Sequence, residues 1–417
     1  KIEELAYLIG TTKRSFFRIG YGFSRSRNGS ANMHAVTSIP AVTGAWQHEG
    51  GGALHSNSGM YKWNKSFLTA KAEAKPGIRT MDQCRVGEVL CGNPQDLQGG
   101  PPVKAIFIQN TNPVSVAPDQ TRVKQGFARD DLFTVVHEQF LTETARYADI
   151  VLPATMFLEH DDIYQGGGHS HIMFGRKLVN APGECRSNHE VLGDLARRVG
   201  ARHDGFAMTP RELIDRTLKD SGRRGFDDLD AENWFDVQTD FETSHFLKGF
   251  AHADGKYHFR ADWKKAASIV STMGALGPWH DMPVFPDHWA VTDPVSPETP
   301  FRMTTSPART FLNSSFNETP GSRKREGGPS LQIHPEDLAS TGAGDGDMLR
   351  VGNARGEVIL QARASTGQQR GVLIAEGIWK NEDHESGCGI NSLTGADQPA
   401  PAGGGAFHDI AVWVKRR

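Results

Sequence analysis

The densest run of titratable side chains lies at residues 159–171, Glu-His-Asp-Asp-Ile-Tyr-Gln-Gly-Gly-Gly-His-Ser-His. His160, Asp161, Asp162, His169 and His171 are residue types that ligate transition metals. Three consecutive glycines leave the stretch without a fixed scaffold, so a loop facing a substrate or cofactor competes with a metal site. His137-Glu138 follows an apolar run. An ionised carboxylate there can accept two hydrogen bonds from an amidine-like edge such as that of guanine; capping the next helix is the other reading. Asn110 and Asn112 carry amides that donate and accept at once. They suit the rim of a heterocycle, and equally the turn before Pro113.

Other chemistries lack their patterns. The glycines at 50–52 and 166–168 match neither the dinucleotide fingerprint nor the Walker spacing. No Gly-x-Ser-x-Gly elbow is present, which argues against a hydrolase triad. The four cysteines, Cys84, Cys91, Cys185 and Cys388, form no Cys-x-x-Cys pair, so neither a zinc site nor an iron–sulfur cluster can be read here. Four thiols in 417 residues also argue against a disulfide-held fold.

The elements that must position these groups change character along the chain. Residues 1–9 predict an amphipathic helix, 15–19 a short strand ending in Gly20-Tyr21-Gly22, and 32–42 a helix closed by Gly44. Apolar strands are predicted at 105–109, 132–136 and 149–152, with helices at 142–148 and 190–199. Continuous apolar strands alternating with helices imply a parallel sheet covered on both faces. Ligands of such sheets bind beyond the carboxyl ends of the strands. That rule marks 20–25, 110–113, 137–138 and the segment after Pro153. From 202 to 300 the pattern weakens into an irregular connection with scattered tryptophans and a helix at 210–218. After Pro300 it becomes β: 348–351 and 357–364 flank a turn sequence, 372–375 and 410–414 follow, and a compact β-barrel results. The expected division is 1–201 (α/β), 202–300 (connection) and 301–417 (barrel).

Composition sets the outer limits. The formal charge of −3 is too close to neutral to favour a nucleic-acid partner, and the basic run 322–325 reads as a solvated loop. No apolar stretch approaches the roughly 20 residues of a membrane helix. The chain starts at Lys1 within an amphipathic run, as expected of a piece of something longer.

The run at 142–153, Thr-Glu-Thr-Ala-Arg-Tyr-Ala-Asp-Ile-Val-Leu-Pro, followed by Gly-Glu-Cys-Arg-Ser-Asn at 183–188, resembles the molybdopterin oxidoreductases of the dimethyl-sulfoxide-reductase superfamily. Supporting segments are 20–29, Val42-Thr43-Gly44, Asn112-Pro113, the run 305–314 (Thr-Ser-Pro-Ala-Arg-Thr-Phe-Leu-Asn-Ser) and Asn391-Ser-Leu-Thr. They fall in the family's order over nearly the whole chain.

The resemblance implies a bis-molybdopterin guanine dinucleotide cofactor carrying molybdenum or tungsten. The α/β unit would bind the guanosine and diphosphate of one dinucleotide, and the barrel would close over the pterins. By position it implies cofactor contacts at Tyr21, Arg25, Asn110, Asn112, His137, Glu138, His160 and Asn188. In the barrel it implies Thr305, Ser306, Arg309, Asn313, Ser314, Asn391 and His408. His169 and His171 stand where many relatives carry Arg and Gln, and could line a substrate funnel and relay protons. An iron–sulfur cluster and the protein ligand to the metal would come from an N-terminal portion with no counterpart here, and Cys185 lies far from that position. The implied activity is two-electron redox of a small molecule, formate or an oxide or oxyanion, with an electron-transfer subunit as partner. The expected setting is a bacterial cytoplasm. A structural relative without metal and a non-redox hydratase are the competing readings, and these residues alone are expected to be inactive.

Overall fold

The computed structural model describes all residues except 71–75 and 271–272. Fourteen strands occur among the described residues: β1 (Phe16–Arg18), β2 (Gly52–Leu54), β3 (Ala105–Gln109), β4 (Phe133–Glu138), β5 (Ile150–Pro153), β6 (Asp162–Tyr164), β7 (His171–Gly175), β8 (Trp234–Asp236), β9 (Phe301–Ser306), β10 (Ser330–Ile333), β11 (Met348–Gly352), β12 (Glu357–Ala364), β13 (Val372–Glu376) and β14 (Ile410–Arg416).

The apolar runs of the first half form two parallel sheets, β1-β2 and β3-β4-β5. Ile108 of β3 and Val136 of β4 pack on Val114, Val123, Phe127 and Leu90 from the flanking helices. The other face is less covered than continuous apolarity predicts: Phe133 (49%) and Ile150 (44%) stay exposed, and so does Val151 (41%) on the edge strand β5. The helix predicted at 142–148 is only a 3-10 turn, Ala145–Tyr147. Its threonines explain the difference. Thr142 Oγ1 accepts the Ala145 N–H at 3.2 Å within the segment, a side-chain bond that competes with a helical backbone, and Thr144 Oγ1 accepts the Val114 N–H at 3.1 Å outside it.

The region from 202 onward is more ordered than its weak pattern implies. Helices Pro210–Asp220 and Phe226–Glu232 cover β6-β7-β8, an antiparallel sheet that β8 completes. The Thr209–Glu212 capping box starts the first helix. Further on, Trp263, Trp279 and Trp289 pack against Met282, Ala31 and Ala400, joining this region to both neighbours. The basic run is not a loop: it forms helix Pro320–Glu326, and Arg323 pairs with Asp383.

The last third closes into a six-strand mixed barrel in the order β10-β12-β11-β14-β9-β13. The predicted turn pairs β11 with β12 antiparallel, Gly352 opposite Glu357. Inward residues Met303, Leu331, Leu349, Val358, Leu373 and Val412 are fully buried, following the period-2 alternation of a half-buried strand. The barrel grips the α/β unit through residues 381–398. Asn391 Nδ2 donates to the Ser115 carbonyl at 2.9 Å, the Gly389 N–H to Gln120 Oε1 at 3.0 Å, and the Asp119 N–H to the Thr394 carbonyl at 2.8 Å.

Candidate cofactor cavity and strand-end cluster

A cavity of about 1190 Å³ lies between the turn after β1, the strand β3 with the flanking segments 81–90 and 113–118, and the barrel. The turn carries Tyr21 and Arg25 to one wall. The end of β9 carries Thr305 and Ser306 to another, joined by Asn313, Asn391 and His408. Asn313 sits at φ +51° in a tight turn closed by the Leu312–Ser315 bridge, a conformation asparagine tolerates better than most residues.

The two sides are fastened to one another. The Arg25 carbonyl accepts the N–H groups of Phe407 (2.8 Å) and His408 (3.1 Å), and its guanidinium lies over the Phe407 ring, 5.6 Å from the centroid. Two residues on, Arg27 pairs with Asp293, Asp397 and Asp409, and Arg355 shares Asp293 at 2.9 Å. Only 10% of the Arg27 side chain and 4% of the Asp409 side chain are exposed, so removal of either partner would strand a buried charge. Burial lowers the His408 pKa and the nearby Arg25 charge adds to that, leaving a neutral imidazole against Thr305 Oγ1 at 3.4 Å. Burial raises the Cys84 thiol to about 11, Asp82 pushes the same way, and Arg25 opposes them.

A second polar cluster forms where β3, β4 and the helix Asn188–Val199 meet. Gln109 Nε2 donates to His137 Nδ1 at 3.1 Å, and His137 Nε2 then faces the Arg186 carbonyl at 3.1 Å. Those partners select the tautomer protonated on Nε2. Gln109 also reaches Asn188 Oδ1 at 3.4 Å. Burial raises the Glu138 pKa, partly offset by the Gln139 N–H, which Oε1 accepts at 2.8 Å. Asn110, at φ +53°, is exposed at the end of β3. His160 Nδ1 lies 2.8 Å from Thr155 Oγ1, beyond β5.

The remaining expected residues are placed differently. Asn112 is 4% exposed and both ends of its amide are engaged internally. Nδ2 donates to Glu143 Oε2 at 2.8 Å, while Oδ1 accepts the Thr144 N–H (3.1 Å) and hydroxyl (2.7 Å). Burial works to raise Glu143, but the Asn112 amide and the Asn381 N–H hold it below the usual carboxylate range. Arg309 is exposed and Ser314 half-buried, and neither lines the cavity. His169 and His171 sit at the β7-β8 sheet, away from the cavity lining. The His169 carbonyl takes the Tyr61 hydroxyl at 2.8 Å, and the His171 ring meets Trp234 edge-on at 4.6 Å. Among the described residues no group of three or more His, Cys, Asp or Glu is arranged to hold a metal ion.

Sequence reasoning missed Gln109, Arg27, Asp82 and Cys84. Gln109 had a signal, as the last residue of a strand whose carboxyl end was marked. Arg27 and Asp82 meet partners hundreds of positions away, and Cys84 meets Arg25 only across the cavity, so these had none.

Residues 6–198 match the family described as molybdopterin oxidoreductase, and 301–411 match the molydopterin dinucleotide binding domain. The chain belongs to the molybdopterin oxidoreductase family. It is similar to the "Probable oxidoreductase YoaE" of Bacillus subtilis (34% identity over 412 residues, 97% of this chain and 57% of that one). It is also similar to the "Dimethyl sulfoxide reductase DmsA" of Escherichia coli (23% over 473 residues, 100% and 55%). The chain thus spans little more than half the length of these relatives. Among solved structures, acetylene hydratase from Pelobacter acetylenicus shares the fold, with a TM-score of 0.58 and 18% identity over 78% of this chain and 46% of that one.

Proposed function

We propose that these residues form part of a bis-pterin molybdenum or tungsten oxidoreductase that reduces a small S-oxide, N-oxide or oxyanion. The supporting observation is the cavity between the α/β unit and the barrel. Its scale suits a large cofactor, and its donors suit an oxygen- and nitrogen-rich heterocycle bearing phosphates. Arg25 offers a phosphate-directed guanidinium, Thr305 and Ser306 offer hydroxyls, and Asn313 and Asn391 amides. The strand-end cluster of Asn110, His137, Glu138 and Asn188 would take the guanosine end, with Glu138 accepting from the guanine edge. Asn112 and Glu143 would hold that side to the barrel rather than touch the cofactor.

The bound cofactor would supply the two-electron chemistry, and this chain its position and electrostatics. Oxide reduction is favoured over formate oxidation because the dimethyl-sulfoxide and trimethylamine-N-oxide reductases among its relatives align with 88–100% of the chain. An iron–sulfur cluster, the metal's protein ligand and an electron-donating subunit would lie outside these residues, in a cytoplasmic enzyme.

The test is to purify the full-length protein, measure its molybdenum, tungsten and pterin content, and assay it with a reduced viologen dye against dimethyl sulfoxide, trimethylamine N-oxide and formate. Metal and pterin near one cofactor per chain with oxide-dependent dye oxidation is expected. Protein that folds but carries neither metal nor pterin would favour the structural reading and overturn this one.

A further inference from the structure

A second cavity, of about 340 Å³, lies beside the first, between residues 82–98, the tryptophan-bearing connection and the loop 397–400. Charged and polar side chains line it together with the apolar Pro278, Trp289 and Val291, and its rim includes the exposed Gln95 and Met273. Among the described residues Asp82 alone lines both cavities.

Asp82 is only 5% exposed, yet it carries a carboxylate. Burying an ionisable group is costly unless it is compensated. Here Oδ1 accepts the Cys84 N–H at 2.9 Å, and Oδ2 accepts Gln398 Nε2 at 2.8 Å from 316 residues away. The first bond is an ordinary N-cap of the turn Gln83–Arg85. The second is not needed for capping, and it closes the wall between the cavities. Each carboxylate oxygen keeps lone-pair capacity beyond these two bonds. The Gln398 amide can donate to the carboxylate, or rotate and accept from the protonated acid. The groups facing this wall are Cys84 and Arg85 from the same segment, Arg25 across the large cavity, and Arg27 and Asp397 across the small one. Arg27 and Arg85 are each matched by carboxylates.

We infer that the small cavity is a solvent antechamber and that Asp82 passes protons from it into the large cavity, gated by Gln398. The inference rests on the redox reading, because reducing an oxide to water consumes two electrons and two protons. In each passage the Asp82 carboxylate takes a proton from hydronium in the antechamber and releases water. It then gives that proton to a water or substrate oxygen on the other side, which restores the carboxylate.

The test uses the full-length, cofactor-loaded enzyme with Asp82→Asn, which can still cap the turn, and Gln398→Leu, which leaves the carboxylate in place. General acid–base groups contribute roughly 10²–10⁴ in rate. For Asp82→Asn we expect kcat to fall about tenfold or more with KM, metal and pterin content unchanged, the solvent isotope effect to rise, and Asp82→Glu to recover part of the rate. Gln398→Leu should fall in between. A readout independent of turnover is the reduction-induced infrared difference spectrum, in which Asp82→Asn should remove a carboxyl band. Wild-type kcat and isotope effect in Asp82→Asn, or loss of its cofactor, would overturn the relay. Absence of metal and pterin from the wild-type protein would instead overturn the redox reading and the relay with it.

Discussion

His384 is a buried titratable group whose protonation should be costly. It follows the turn Asn381–Asp383 at the junction of barrel and α/β unit and is 4% exposed. Neither ring nitrogen makes a full hydrogen bond. Burial drives its pKa from the ordinary 6.5 down to about 4; the Ile359 backbone and Asp383 pull it back a little, and Lys124 pushes it further down. Above the ordinary value the ring is neutral in both folded and unfolded chains and contributes no pH dependence. As pH falls below it, the unfolded chain takes up a proton that the folded chain refuses, so stability falls with pH. At about 1.36 kcal/mol per pKa unit the full loss is about 3 kcal/mol, with roughly 2 kcal/mol gone by pH 5. Replacing the ring by leucine removes this dependence. The difference between wild type and His384→Leu in denaturant midpoint should therefore move steadily in the variant's favour from pH 7 to pH 4. Parallel curves, or an imidazole that titrates at its ordinary value by NMR, would refute the reasoning. Because Lys124 Nζ donates to the Gly387 carbonyl at 3.2 Å across the same junction, limited proteolysis at low pH should cut first between the α/β unit and the barrel.

Three further outcomes follow from the geometry. With Cys84 raised to about 11 by burial first and by Asp82 second, its alkylation at mildly alkaline pH should be slow; Asp82→Asn should accelerate it and Arg25→Gln should retard it, read by mass spectrometry of the labelled peptide. Arg27→Ala strands the buried Asp409 and should cost about 3–5 kcal/mol in urea unfolding, less at low pH, where Asp409, raised by burial, is protonated. Asn112→Leu removes partners of Glu143 and of the Thr144 N–H and hydroxyl, and each buried group left unsatisfied costs about 1–3 kcal/mol; a urea midpoint unchanged from wild type would show that these bonds are replaced by water.

Local pattern alone made the three-stranded parallel sheet and four strands of the barrel legible, but not β9 and β10, which complete it. Apolar runs of 4–8 residues bounded by Gly, Asn and Pro can satisfy their backbones only by pairing, and their alternation assigns the buried face. The same logic placed His137, Glu138 and Asn110 at a strand end, and Tyr21 and Arg25 in a turn. It failed at residues 142–148, where the Thr142 hydroxyl caps a single turn and the Thr144 hydroxyl is drawn to Asn112 and Val114. It also missed the order after residue 202, because β8 gains its pairing from β7, about 60 residues earlier. Tertiary structure decided how the groups are shared out. It spent the Asn112 amide on Glu143 and Thr144, turned His169 and His171 onto a separate sheet, and brought His408 to Thr305 and Gln398 to Asp82. No spacing rule reaches across hundreds of residues, since a hydrogen bond requires a meeting in space that only the closed barrel seated on the α/β unit provides. The residue types were written in the chain; which of them face a cavity was settled by what each had already bonded to.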